Sequence, residues 1–102
     1  MFKENAISME HLLAGETIDV YGFGQSMTPI LKSGQGCKVC PITDEIQLNK
    51  NDIVFCKVNG HFYLHKIIAI KNGNTFLIGN NHGHQNGWIS KNKIYGKVIK
   101  IL

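Results

Sequence analysis

The feature that most constrains the fold is a pair of apolar runs separated by the dipeptide Asn59-Gly60. The first run covers residues 52–58 and the second covers residues 61–70, and both are rich in β-branched and aromatic side chains. Asn-Gly between two such runs is typical of a two-residue turn with positive φ angles, which joins antiparallel strands. We therefore expect a β-hairpin. Its second arm should present Phe62, Leu64 and Lys66 on one face and the alternate residues His61, Tyr63, His65 and Ile67 on the other.

The rest of the chain is predicted to be mostly β. Strands are expected at residues 17–21, 37–42, 75–78 and 93–102, with turn residues between them. One short helix is expected over residues 9–14, capped by Ser8 and ended by Gly15, with Leu12 and Leu13 packed on the sheet. With 102 residues the chain should form a single domain over residues 1–102. We expect a mainly β fold, a small folded sheet or partly open barrel with one short N-terminal helix.

A glycine-rich segment at residues 22–31 carries the best candidate for a nucleophile. Gly22 and Gly24 precede Ser26, and Pro29 stiffens the exit of the turn. A serine hydroxyl is a weak nucleophile unless a nearby base removes its proton. His65, in the second arm of the hairpin, is the candidate base.

The order of these motifs resembles that of the signal peptidase and LexA-type serine peptidase superfamily. That pattern runs Gly-x-Ser-Met-x-Pro, Gly-Asp, Gly-Asp-Ile-Val, a Lys-Arg or His-Arg pair, Gly-Asp-Asn and Gly-x-Val. The counterparts here are residues 24–29, 34–35, 51–54, 65–66, 79–81 and 96–98. The resemblance implies a serine endopeptidase with Ser26 as nucleophile, His65 as a histidine-type base and Lys66 in place of a structural arginine. If Lys66 were buried and neutral, it would be a competing base.

The resemblance also implies an orienting group, an oxyanion site and a substrate. Asn80 stands where the family has an acid, and an amide can hold a histidine tautomer without stabilising its charge as a carboxylate does. The backbone N–H groups of Gln25 and Ser26 would bind the oxyanion, and Met27 would enter the core or line the substrate groove. The substrate would be an extended peptide or protein segment with small residues beside the cleaved bond. The main alternative is a catalytically inactive peptidase-like domain that binds a peptide or protein partner.

Charge and cysteine content bear on other partners. The net charge is +4, but the lysines fall singly along the chain, so no nucleic-acid partner is expected. The three cysteines predict free buried thiols, and zinc held by Cys37, Cys40, His82 and His84 is not expected, because Cys37 and Cys40 would point to opposite faces of a strand. No cofactor, no leader and no membrane anchor are expected, which predicts a soluble cytoplasmic protein. A homodimer stays open.

Overall fold

One helix is followed by seven strands in a computed structural model that describes the backbone of residues 2–102 and the side chains from residue 5 onward. The helix α1 covers Phe2–Leu13, and a short 3-10 helix, Lys91–Lys93, precedes the last strand. The strands are β1 Ile18–Tyr21, β2 Gly36–Pro41, β3 Ile53–Val58, β4 His61–Lys71, β5 Thr75–Gly79, β6 Gln85–Ser90 and β7 Ile94–Ile101. The predicted mainly β fold with one N-terminal helix is confirmed.

All seven strands belong to one curled antiparallel sheet that resembles half of a barrel. Its strand order is β1-β2-β7-β3-β4-β5-β6. The last strand of the chain therefore lies between β2 and β3 and pairs with both of them. Through β7, the strands that flank the serine-bearing loop join the hairpin that carries His65.

The hairpin predicted from Asn59-Gly60 is confirmed. Val58 pairs with His61, and the two residues between them have φ angles of 50° and 82°. Positive φ at both positions is the conformation of a type I′ turn, whose twist matches that of the flanking strands.

The sheet buries apolar side chains on both of its faces. One cluster contains Met27, Val39 and Phe55, while a second contains Val54, Ile67 and Ile78. Strand β3 therefore contributes to both clusters, since its successive side chains point to opposite faces. The predicted alternation in β4 also holds, because Phe62 and Leu64 pack against the first cluster and Tyr63 against the second.

The helix differs from its prediction at the start but not at the end. It begins six residues earlier than Ser8, so Ser8 lies inside the helix and is not its cap. Gly15 does end it, with φ +89° and a hydrogen bond from its N–H to Leu12 O, while Glu16 N–H donates to His11 O. This pair of bonds is a Schellman motif. Burial of Leu12 (2% exposed) anchors the helix, whereas Leu13 is 67% exposed and does not pack on the sheet as expected.

Strand β6 lies between the strands predicted at residues 75–78 and 93–102 and was not itself predicted. In the structure Gln85–Ser90 pairs with β5, placing Ile89 opposite Phe76 and Trp88 opposite Leu77. Pairing with a neighbour imposes strand geometry here on Asn86 and Gly87, which have little strand preference of their own.

The cysteines are buried as free thiols, as predicted. Among the side chains that the structure describes, those of residues 5–102, no cluster of three or more His, Cys, Asp or Glu is arranged to hold a metal ion. None of the helices in that range has the length and apolar character needed to cross a membrane.

Candidate active site

Ser26 and His65 meet in the folded chain, although 39 positions separate them. Ser26 lies in the loop between β1 and β2, and His65 lies in the middle of β4. Ser26 Oγ is 3.2 Å from His65 Nε2, which is hydrogen-bonding distance. The imidazole is buried, with 7% of its surface exposed, and Ser26 is half-buried. The predicted nucleophile and base are therefore in contact.

The other ring nitrogen of His65 is held by Asn86. Asn86 Oδ1 lies 2.7 Å from His65 Nδ1. In the antiparallel pairing of β5 and β6, Gly79 is opposite Gln85 and Ile78 is opposite Gly87, so Asn86 is the extra residue of a β-bulge. A bulge re-aims a side chain relative to the regular strand alternation. Gly87 has φ +140°, which a side chain at that position would disfavour.

Asn80 does not have the orienting role that the resemblance assigned to it. Its carboxamide oxygen accepts hydrogen bonds from the N–H groups of His82 (2.8 Å) and His84 (2.9 Å). It therefore closes its own loop, as asparagine side chains commonly do in turns. The prediction for Asn80 is corrected to Asn86. No local signal points to Asn86, because its aim depends on the bulge.

The contacts of His65 define its tautomer and its protonation. An amide oxygen can only accept, so Nδ1–H donates to Asn86 and Nε2 presents its lone pair to the hydroxyl of Ser26. Burial lowers the pKa of His65 below its ordinary value of 6.5, and charge on His84 lowers it further, while the hydrogen bond to Asn86 acts in the opposite direction. The ring is therefore neutral at pH 7 and able to accept a proton.

Backbone donors lie beside the serine. Gly24, with φ +101°, uses its own N–H to bind Ser33 Oγ at 3.0 Å. Among the described groups, the backbone of residues 2–102 and the side chains of residues 5–102, none accepts a hydrogen bond from the N–H of Gln25 or Ser26. The carbonyl of Gln25 is held by Thr28, whose N–H and Oγ1 both donate to it (3.2 and 2.9 Å). This network restrains the turn that carries the two N–H groups.

The loop at residues 80–84 holds the serine turn through a second set of hydrogen bonds. Asn81 N–H donates to Ser26 O at 2.8 Å, and Asn81 Nδ2 donates to Thr28 O at 2.9 Å. Lys66 Nζ in turn donates to Asn81 Oδ1 at 3.0 Å. Lys66 therefore supports the turn through Asn81, and it lies on the face of β4 opposite to His65. His82 Nε2 adds contacts of 3.0 Å to Thr28 Oγ1 and to the Gln25 carbonyl.

A groove of about 450 Å³ opens beside Ser26 and His65. Met27 is buried in the first apolar cluster and also lines this groove. The other apolar residues around the groove are Val20, Phe23, Leu31, Phe55, Phe62 and Leu64. Mostly apolar walls with a few convergent polar groups are typical of binding sites for small ligands and peptides.

Comparison with known proteins assigns no family to this chain: no protein-family model matches it, and neither does any curated protein. The resemblance to the signal peptidase and LexA-type superfamily therefore stays a prediction. What supports a chemical role is the arrangement of Ser26, His65 and Asn86.

Proposed function

We propose that this protein is a serine endopeptidase that cleaves an extended peptide or protein segment, with Ser26 as nucleophile and His65 as general base. The observation that carries the proposal is the chain of contacts from Ser26 Oγ to His65 Nε2 (3.2 Å) and from His65 Nδ1 to Asn86 Oδ1 (2.7 Å). Nucleophile, base and orienting group in this order form the arrangement that activates a serine. Its position at an apolar groove supplies a place for substrate.

In the proposed reaction, Ser26 Oγ attacks the carbonyl carbon of the scissile peptide bond while its proton moves to His65 Nε2. The oxyanion is stabilised by the N–H groups of Ser26 and Gln25. As the carbon–nitrogen bond breaks, His65 gives the proton to the leaving amine. Water then attacks the acyl ester with His65 again accepting a proton, and Ser26 is regenerated. Asn86 keeps the ring in the required tautomer throughout.

A second candidate is a peptide-binding domain that does not cleave. One observation favours it: the orienting group is an amide, which offers no negative charge to the imidazolium that forms during attack. Such a domain would use the same groove and hold a peptide segment without turnover.

Mass spectrometry of a peptide library incubated with the wild type and with Ser26→Ala tests the proposal. We expect new cleavage products with the wild type and none with the variant. Because Ser26 is half-buried and its hydroxyl contacts only one described partner, thermal unfolding of the two proteins should be similar, which controls for misfolding. Equal cleavage by both proteins would exclude Ser26 as nucleophile. Binding without cleavage by the wild type would favour the second candidate.

We also propose a cytoplasmic location. The three cysteines are buried as free thiols, which suits a reducing compartment. A homodimer stays a prediction that the oligomeric state in solution would test.

A further inference from the structure

The groove beside Ser26 is larger and more apolar than a site for small residues needs. Met27, Leu31 and Phe55 form its floor and are almost fully buried. Phe62 and Leu64, which are half-buried, also line the groove. A methyl group would contact only a small part of a groove of about 450 Å³, whereas a leucine, methionine or phenylalanine side chain could reach its floor.

An exposed aromatic residue, Phe23, lines the mouth of this groove. Phe23 is 66% exposed and lies between the two glycines of the serine turn. Large apolar side chains that stay exposed at the edge of a cleft mark surfaces for an apolar partner. Phe23 would extend the contact of the groove with a bound peptide.

The charge at the groove has one sign. Among the described residues that line it, Lys32 supplies the positive charge and no aspartate or glutamate is present. Lys32 is exposed, so its ammonium group can meet a substrate carboxylate at the mouth. A pairing of this kind selects partners and is weakened by salt.

We propose that the groove selects a peptide segment that carries a bulky apolar residue beside the cleaved bond and an acidic residue close to it. This inference rests on the proposed function and departs from the small residues that the resemblance implied. The apolar side chain occupies the groove over Met27 and Phe55, and the carboxylate lies against Lys32. Full burial of a leucine or phenylalanine side chain favours binding by about 10- to 100-fold over an alanine at that position.

The test combines binding and cleavage. In the Ser26→Ala background, fluorescence anisotropy compares matched peptides that have phenylalanine or alanine at one position and aspartate or lysine at a neighbouring one. The phenylalanine and aspartate peptide should bind best. Sequencing of the products from the wild type by mass spectrometry should show leucine, methionine or phenylalanine beside the cleaved bond, with acidic residues nearby.

Matched variants separate the groove from general surface effects. Phe23→Ala should weaken binding of the phenylalanine peptide, while Ile99→Ala, which removes an apolar side chain that is 54% exposed elsewhere on the sheet, should leave binding unchanged. Lys32→Glu should reverse the preference for aspartate over lysine. Lys93→Glu makes the same charge change in the 3-10 helix and should leave that preference intact.

The outcomes distinguish this inference from the proposed function. A preference for the phenylalanine and aspartate peptide without any cleavage by the wild type supports the selectivity of the groove, but it overturns the part of the inference that refers to a cleaved bond and removes the peptidase proposal. Cleavage beside alanine or glycine, with no preference for bulky apolar residues, overturns the inference and leaves the peptidase proposal standing. Equal binding of all four peptides also overturns it.

Discussion

Replacing the amide at position 86 by a carboxylate is the most direct test of how His65 works. Asn86→Asp exchanges one group for another of similar size, so a carboxylate oxygen would stand where the amide oxygen now lies, 2.7 Å from His65 Nδ1. The new charge would favour the protonated imidazole that forms when Ser26 attacks. We therefore expect faster turnover at alkaline pH and a shifted pH profile.

The size of the effect follows from this contact. An opposite charge at such a distance raises the pKa of a histidine by about 1 to 3 pH units. Each pH unit corresponds to about 1.4 kcal/mol, so the imidazolium is stabilised by about 1.4 to 4 kcal/mol. If the transition state shares this stabilisation, turnover rises by about 10- to 1,000-fold. A loss of about 10⁴ accompanies an Asp-to-Asn change in a known triad, mostly through the wrong tautomer. The gain here is smaller because Asn86 already holds the correct tautomer.

The assay is the pH dependence of kcat/KM for wild type, Asn86→Asp and Asn80→Asp. For Asn86→Asp, the acid limb of the pH profile should lie about 1 to 3 pH units higher than for the wild type. The variant should therefore be faster than the wild type at about pH 9 and lose much of this advantage at about pH 6. Asn80→Asp is the matched control, since the Asn80 oxygen binds the N–H groups of His82 and His84. Its limb should stay close to that of the wild type.

Two results would refute the reasoning. If Asn86→Asp leaves both the limb and the rate unchanged while its thermal stability matches the wild type, Asn86 does not orient the base. If Asn80→Asp shifts the limb as far as Asn86→Asp does, the contact between Asn86 and His65 is not what sets the pKa of the base.

Three further predictions concern the base, the serine turn and the sheet. For the wild type, kcat/KM should decrease as the pH falls through a value below 6.5, because burial lowers the pKa of His65 and only the neutral ring can accept a proton. If kcat/KM instead decreases already below about pH 8.5, another group is the base. Asn81→Ala removes the hydrogen bond to Thr28 O and should lower both kcat and the free energy of unfolding. Urea denaturation should show a loss of about 1 to 2 kcal/mol. An unchanged kcat would mean that the hydrogen bonds of Asn81 do not position the serine. Gly96→Ala would bring a Cβ into overlap with Val39 Cγ1 and should destabilise the fold by about 1 to 3 kcal/mol, and a Tm equal to that of the wild type would contradict this close packing of β7 on β2.

Local sequence was sufficient for the elements whose geometry depends on neighbouring residues. Asn59-Gly60 specifies the hairpin because both residues tolerate positive φ, and the alternation that follows assigns the faces of β4. Gly15 likewise marks the end of α1 through its positive φ. The glycine-rich turn around Ser26 could be recognised for the same reason. The resemblance predicted His65 as the base, and the structure brings that residue into contact with Ser26.

Tertiary structure decided the rest, because the decisive contacts join segments that are distant in sequence. The packing of Leu12 depends on the sheet against which the helix lies. Strand β6 exists because it pairs with β5. Asn86 is the extra residue of the bulge between Gln85 and Gly87, and the bulge directs its side chain toward His65. Asn80 matched the motif by position alone. A residue's place in a linear pattern does not determine the direction of its side chain when a bulge in the pairing of two strands sets that direction.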